Sequence, residues 1–507
     1  MFPPRFAARF LTLWFACEID VSCIAQQIQP LQGEPYAITS KGISTFRVTS
    51  ELVVPGVKLW TSFAGVSEAV EVTNGTAQFE IKTTNSLPPG IAVARLFSER
   101  GVSSWLRMAV SSQKLAGIAV SNHTQSTSLK LTTPMTLAGH CPPQQSAWFQ
   151  FEARRGQTLI FDILAGRLGL HLDPFIRLVD EHGRELTGLD DSPGTGVDPV
   201  LEHRFARNGR YFLEVRDTSH GGGPRHRFLL TLSGHSRIPT ALAGSVPAFA
   251  AEESPGSKVF DASTNNDAST AISMELPALI EGRFDRPGDR DYFRFSAAKD
   301  QRVVFQGTTR GIGSPCDLSL AVCNLNGRVI AESNATGADE GALTNRFSEA
   351  GTYLLRVQEL NQQGGSGSRY EIAAMPYRAG FTLSCAVDKV ETSSGETFEL
   401  KITATRTEFN GPISIQLLGD AADLTLNDTT IPEKKSEATF KVSVPKNLPP
   451  GTLRYFSVQG TARIGEAEFK AHASTRPALR QLWPQTLHPP RELDGLIALG
   501  IKSASSK

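Results

Sequence analysis

The chain has 507 residues, too many for one hydrophobic core, and its 40% hydrophobic and 20% charged content is that of several folded globular domains in series. Lysine plus arginine equals aspartate plus glutamate, at 51 each. That balance excludes the basic footprint of a nucleic-acid binder, and no polybasic run marks a membrane-surface protein.

The first residues, MFPPRFAARFLTLWFACEIDVSCIAQQ, place Arg5 and Arg9 ahead of a short apolar run, Phe10 to Ala16. Cys23, Ile24 and Ala25 then stand before Gln26. This is the pattern of a secretory signal peptide over 1–25, interrupted by Glu18 and Asp20, and it predicts a secreted, periplasmic or cell-surface protein. No other stretch reaches the roughly 20 apolar residues of a spanning helix. No transmembrane helix is therefore expected in the mature chain.

Residues 29–115 read as a first β-sandwich. AQFEIKTTNSLPPG at 77–90 is a strand running into a Pro-Pro-Gly turn, and a second strand, IAVARLF, follows at 91–97. Proline presets φ and glycine permits the reversal. The same pattern returns near the other end as ATFKVSVPKNLPPG at 438–451 before TLRYFSV.

Between them lies an internal repeat. AWFQFEARRGQ at 147–157 matches DYFRFSAAKDQ at 291–301. LDPFIRLVDEHGREL at 172–186 matches CDLSLAVCNLNGRVI at 316–330, and NGRYFLEVRD at 208–217 matches AGTYLLRVQE at 350–359. Gly139 and Gly282 lead the two copies. The motifs alternate with period two, so Phe149 and Phe151, or Phe293 and Phe295, share a face. Gly183 and Gly327 sit at reversals where positive φ is often needed. Short strands with turn residues every 8–12 positions or so predict antiparallel sandwiches over 118–236 and 263–376.

In the second copy the order G-D-x-D-Y-F-x-F-x-A, then D-x-x-L-x-V-x-x-x-x-G, then G-T-Y-x-L-R-V resembles the bacterial pre-peptidase C-terminal domain. The resemblance implies a jelly-roll-like β-sandwich of the kind that trails secreted proteases. The tandem layout resembles exported multidomain proteins of planctomycete-type bacteria. The first copy departs from the pattern, with Gln145, Ser146 and Ala147 where the acids stand.

Residues 237–262, rich in Ala, Ser, Pro and Glu, read as a linker. Residues 379–475 read as an Ig-like sandwich, and 476–507 as a mobile tail in which Trp483 and LDGLIALGI could dock. Cys141, Cys316, Cys323 and Cys385 are expected as buried thiols, since no CxxC or zinc spacing appears.

No G-x-S-x-G elbow, HExxH or Walker loop is present, so no catalytic residue and no organic cofactor are assigned. Calcium is the candidate metal, at Asp190, Asp191 and Asp198, because hard cations take several oxygen ligands from one loop. The second copy offers Asp289 and Asp291, with Asp339 and Glu340 in a later loop, and Asn334 and Ala335 replace Asp190 and Asp191. One site repeated in both copies is therefore not expected. The competing reading is solvated turn acids. Trp148 and Tyr292, at equivalent positions, are candidates for stacking on a sugar, against an ordinary packing role.

The expectation is an exported, non-catalytic, all-β protein. It comprises tandem β-sandwiches, two jelly-roll-like pre-peptidase C-terminal-type domains flanked by Ig-like sandwiches. It would serve as a binding, adhesive or spacer scaffold for an envelope or extracellular protein or polysaccharide. The alternative is an accessory module that targets or stabilises a secreted peptidase or other hydrolase.

Overall fold

The computed structural model describes residues 33–504, apart from 84–85, 117–120, 193, 235–237, 249–255, 336–339, 366 and 487. The signal-like segment and Asp339 lie outside the described residues. The architecture is all-β, four sandwiches in chain order, with one short α-helix among the described residues. None of the described helices is long and apolar enough to cross a membrane.

Period two becomes inside and outside as the pleat dictates. In the strand Ala147–Ala153, Ala147, Phe149, Phe151 and Ala153 are buried, and Glu152 between them is exposed. Arg290–Ala297 repeats the pattern with Phe293 and Phe295 inside. Phe149 lies opposite Leu213 and Phe293 opposite Leu355. Each phenylalanine so buried contributes about 1.5–3 kcal/mol.

The second and third sandwiches have the same strand order. In the second, Leu115–Ala116, Met135–His140, Arg227–Ser233, Thr158–Leu164 and Val200–Arg204 form one sheet. Leu129–Lys130, Ala147–Ala153, Gly209–Asp217, Pro174–Asp180 and Glu185–Leu189 form the other. The ten corresponding strands of the third, from Ser257–Phe260 to Arg369–Pro376, follow that order. Register shifts fall at matching places, Leu178/Val179 and Val322/Cys323. The reversals that follow place Gly183 and Gly327 at φ 78° and 76°. There Asp180 Oδ1 accepts from the N–H of His182 and Arg184, and Asn324 Oδ1 from those of Asn326 and Arg328. At Gly139 and Gly282 a Cβ would stand 2.4 Å from the Phe228 ring and 2.2 Å from the Tyr370 ring, so the crossing ring excludes any side chain.

Three expected boundaries change. Residues 476–507 are not a loose tail. Arg476–Leu482 is helical, and Ile497–Lys502 is a strand between Lys389–Ser393 and Thr452–Ile464, completing the 10-stranded sheet of the fourth sandwich. The physical reason is apolar burial: Leu493, Leu496, Ile497, Leu499 and Ile501 are each at most 2% exposed. Much of the linker 237–262 is also docked. Ile238 is buried, Leu242 bridges to Ile91, and Ser257–Phe260 is already an edge strand of the third sandwich. Leu115–Ala116 belongs to the second sandwich, not the first.

The first and fourth sandwiches, far apart in sequence, pack together. Arg95, with no exposed surface, donates to Asp388 Oδ2 at 2.7 Å and lies 3.8 Å over the Trp105 ring. Trp60, Trp105 and Tyr455 form an aromatic cluster across the same contact. The second sandwich bonds directly to the first, as Thr136 does to Ser111 and Arg227 to Tyr36, and Thr486, His488 and Arg491 reach the second and third sandwiches at Gly166, Glu340 and Glu371.

Candidate functional site: the junction cleft

The structure separates the three acids read as a calcium set. Asp198 is fully buried and turned inward. Its Oδ1 accepts from the N–H of Ala165 (2.9 Å) and Gly166 (2.7 Å), and its Oδ2 from Arg167 N (3.0 Å) and Nε (2.8 Å). Arg167 also pairs with Asp162 and donates to the carbonyls of Ile163 and Ile238. Burial works against the Arg167 charge, but Asp162 and Asp198 outweigh it and its pKa rises. With four donors on its two oxygens, Asp198 has no place for a cation. Asp190 and Asp191 are exposed, and Asp190 Oδ1 accepts from the Asp191 N–H. Among the described residues no group of three or more His, Cys, Asp or Glu is arranged to hold a metal.

Asp198 has a counterpart in the third sandwich with which the sequence reading did not pair it. It caps the 3₁₀ turn Gly166–Leu168, and Glu340 caps the matching turn Arg310–Ile312. Glu340 Oε1 accepts from Thr309 N at 3.0 Å and Gly311 N at 2.6 Å. Both turns end on a left-handed glycine, Gly169 and Gly313. The signal was available: in each copy an acid stands two residues ahead of the next strand, before Val200 and before Ala342.

The second acid pair is buried too. Asp291 is 1% exposed and accepts from the Tyr370 hydroxyl at 2.7 Å. Asp289 Oδ2 accepts from the Asp285 N–H. Burial pushes Asp291 up to about 8, the neighbouring Asp261 and Asp289 charges add to it, and the Tyr370 bond opposes. In the first copy Ala147 and Phe228 fill the corresponding places, so tyrosine–aspartate is exchanged for phenylalanine–alanine as a unit. Below pH about 8 the native carboxyl holds a proton that the unfolded chain, at 3.8, releases. Stability is therefore fullest near pH 4, falls as pH rises toward 8, and levels off above. Melting curves from pH 5 to 9 check this, and Asp291→Asn should flatten the slope.

Trp148 and Tyr292 are both half-buried on the outer face of their sheets. Tyr292 packs on a small cluster of Ala321, Cys323 and Leu354. Trp148 has the Arg177 guanidinium 5.9 Å from its ring, and Arg177 is itself paired with Glu214. They do not converge on one surface, each belonging to its own sandwich. The four described cysteines are buried and unpaired. Burial holds Cys385 up at about 11 and Cys141 at about 12, so both are protonated and weakly nucleophilic at neutral pH.

The groups that do converge come from all over the chain. Two adjoining hollows of about 160 and 580 Å³ share Arg167, Arg310 and His488 in their walls. Arg107 comes from the first sandwich, Arg167 from the second, Arg310 and Glu340 from the third, and Thr486 and His488 from the segment leading to the last strand. The buried Trp483 ring stacks 3.4 Å beneath the Arg107 guanidinium. Arg107 Nη1 donates to Arg167 O (2.9 Å) and Thr486 Oγ1 (3.1 Å). Arg310 holds Asp317 with both carboxylate oxygens, and His488 faces Glu340 at 3.7 Å. Burial lowers the His488 pKa, Glu340 opposes, and Arg310 adds to the lowering, so the ring is neutral at pH 7. Arg491 closes one side by donating to Glu371 at 2.9 Å. The guanidinium groups of Arg167, Arg310 and Arg491 are each paired with a carboxylate, so the walls are close to neutral overall. Apart from Asp198 and Glu340, sequence reasoning singled out none of these positions as a site, because single arginines and a histidine hundreds of residues apart leave no local motif.

No protein-family model matches the chain. No curated protein matches it either. Among solved structures, it is similar to the pre-peptidase C-terminal domain of a Bacillus anthracis collagenase at 13% identity, over 21% of this chain and 94% of that one, with a TM-score of 0.17. It is similar to the N-terminal four Ig domains of Dscam1 isoform 4.44 at 8% identity, over 88% and 96% of the two chains, with a TM-score of 0.16. The M60 catalytic domain with two CBM51 domains from Clostridium perfringens ZmpB aligns at 7% identity, over 65% and 56%, with a TM-score of 0.14. At these scores the likenesses carry no functional argument.

Proposed function

We propose that the chain is an exported, non-catalytic scaffold that presents binding surfaces at the cell envelope or outside the cell. Its second and third sandwiches are read as tandem domains of the pre-peptidase C-terminal type. The observation that carries the scaffold reading is the clasp formed by residues 476–502, which touches all four sandwiches and fixes them against one another. A rigid spacer or adhesive unit needs such fixed geometry, whereas beads on flexible linkers would lose it. The partner is an envelope or extracellular protein or a polysaccharide.

The test has two arms. Pull-down from envelope and extracellular fractions should recover a partner on the intact chain, with retention lost when the clasp is deleted. Turnover of a broad hydrolase substrate panel, abolished by a single Asp or His substitution, would overturn the non-catalytic reading.

A further inference from the structure

We propose that one end of the second sandwich, with the trough beside it, is a docking surface for an acidic polysaccharide of the polyuronate class. Two turns meet there, 154–157 and 205–208. Gly156 N–H donates to Phe205 O at 2.7 Å, Phe205 N–H to Gln157 O at 2.9 Å, and Arg155 N–H to Asn208 Oδ1 at 2.7 Å. The junction gathers Arg154, Arg155, Arg204, Arg207 and Arg210, all exposed. None of the five guanidinium groups makes a hydrogen bond or ion pair among the described residues. Of the acids nearby, Glu152 lies by Lys130, Asp180 by Arg184 and Glu185 by Arg177, which leaves Glu181 and Glu202 against the five.

The third sandwich shows that the fold does not require these arginines. At its matching end Ala298, Lys299, Glu349 and Thr352 stand where the second has Arg154, Arg155, Arg207 and Arg210. Arg346, which matches Arg204, is paired with Asp300. The backbone frame is nonetheless the same, since Tyr211 donates to Arg207 O and Tyr353 to Glu349 O. The unpaired positive charge is thus peculiar to the second sandwich. Arg210 also lines a shallow trough of about 590 Å³ with Thr124, Gln125, Ser126, Ser128 and Gln150. The guanidinium fork matches a carboxylate, and hydroxyl and amide groups beside it suit sugar hydroxyls. A polyuronate presents both along one chain. Leu129 is the one large apolar side chain exposed on the second sandwich among the described residues, so this end lacks the apolar face that seats a protein on a membrane.

The inference rests on the scaffold reading, to which it gives a partner. The experiment measures binding of the intact protein to polygalacturonate, neutral dextran, duplex DNA and phosphatidylglycerol vesicles at physiological salt. The expected result is saturable binding to polygalacturonate that weakens with added salt, and much weaker binding to the other three. The triple variant Arg154→Ala, Arg207→Glu, Arg210→Thr installs the third sandwich's residues and should lower polygalacturonate affinity roughly tenfold or more, the combined worth of three exposed charge contacts. Lys299→Ala, on the matching turn, should change nothing. Equal binding to all four probes, preference for DNA or vesicles, or unaltered polygalacturonate binding in the triple variant would overturn the proposal. Should that variant not fold, hydrogen exchange of the unaltered protein decides: slowing by polygalacturonate at 154–157 and 204–210 supports it, and unchanged exchange there refutes it. Recovery of a protein partner without polygalacturonate binding would sink this inference alone, whereas cleavage of the bound polygalacturonate would sink the scaffold reading alone.

Discussion

A chain cut after Ser474 should fail to form the fourth sandwich, although residues 380–474 contain most of its strands. The lost strand, Ile497–Lys502, is hydrogen-bonded on both sides, to Lys389–Ser393 and to Thr452–Ile464. Removing it also takes five large, almost fully buried apolar side chains: Leu493, Leu496, Ile497, Leu499 and Ile501. At about 1.5–3 kcal/mol each, these total about 8–15 kcal/mol, as much as the whole stability of a typical domain, about 5–15 kcal/mol. Calorimetry should lose the transition of the fourth sandwich, and protease should cut within 380–474. Retention of every transition and full protease resistance would contradict this. A milder probe, Leu499→Ala, should cost about 2–5 kcal/mol.

Asp198→Asn should be among the most damaging single changes in the second sandwich, with or without calcium. It leaves Arg167 buried with Asp162 alone and weakens the acceptor for three N–H groups. Breaking a buried pair typically costs about 3–5 kcal/mol, which for a domain of this size is a fall in Tm of roughly 10 °C or more. Arg167→Met should be as severe, because two carboxylates then lose their counter-charge. By contrast Asp190→Ala with Asp191→Ala lies on the exposed side and should stay within about 0.5 kcal/mol. Thermal melts of all three in calcium and in chelator separate the possibilities. A calcium-dependent gain that disappears only in the Asp190/Asp191 double variant would restore the metal reading of that loop.

Much of the fold could be read from periodicity because the strands in question are buried on one face only. Phe149 and Phe151, Phe293 and Phe295 alternate with polar neighbours, and that alternation is visible without coordinates. Gly183 and Gly327 were legible for a different reason: few other residues adopt their backbone conformation without strain. The strand Ile497–Lys502 was missed because five of its six residues are buried, on both faces, so alternation disappears, and its partners lie far back in the chain. The site was missed almost wholly. The acids at Asp198 and Glu340 were seen, but a sequence does not say whether a turn carboxylate faces water or the backbone. Nor does it show that Arg107, Arg310 and His488 meet.

The position of the clasp also has a consequence for biogenesis. Synthesis runs from the first sandwich toward the fourth, so residues 476–502 leave the ribosome after everything they knit together. Until then the patch around Val93, Trp105 and Tyr455 lacks Leu479, Trp483 and Leu493 as cover. The nascent protein thus carries a greasy, uncovered seam through most of its translation, and a holdase chaperone would find it there.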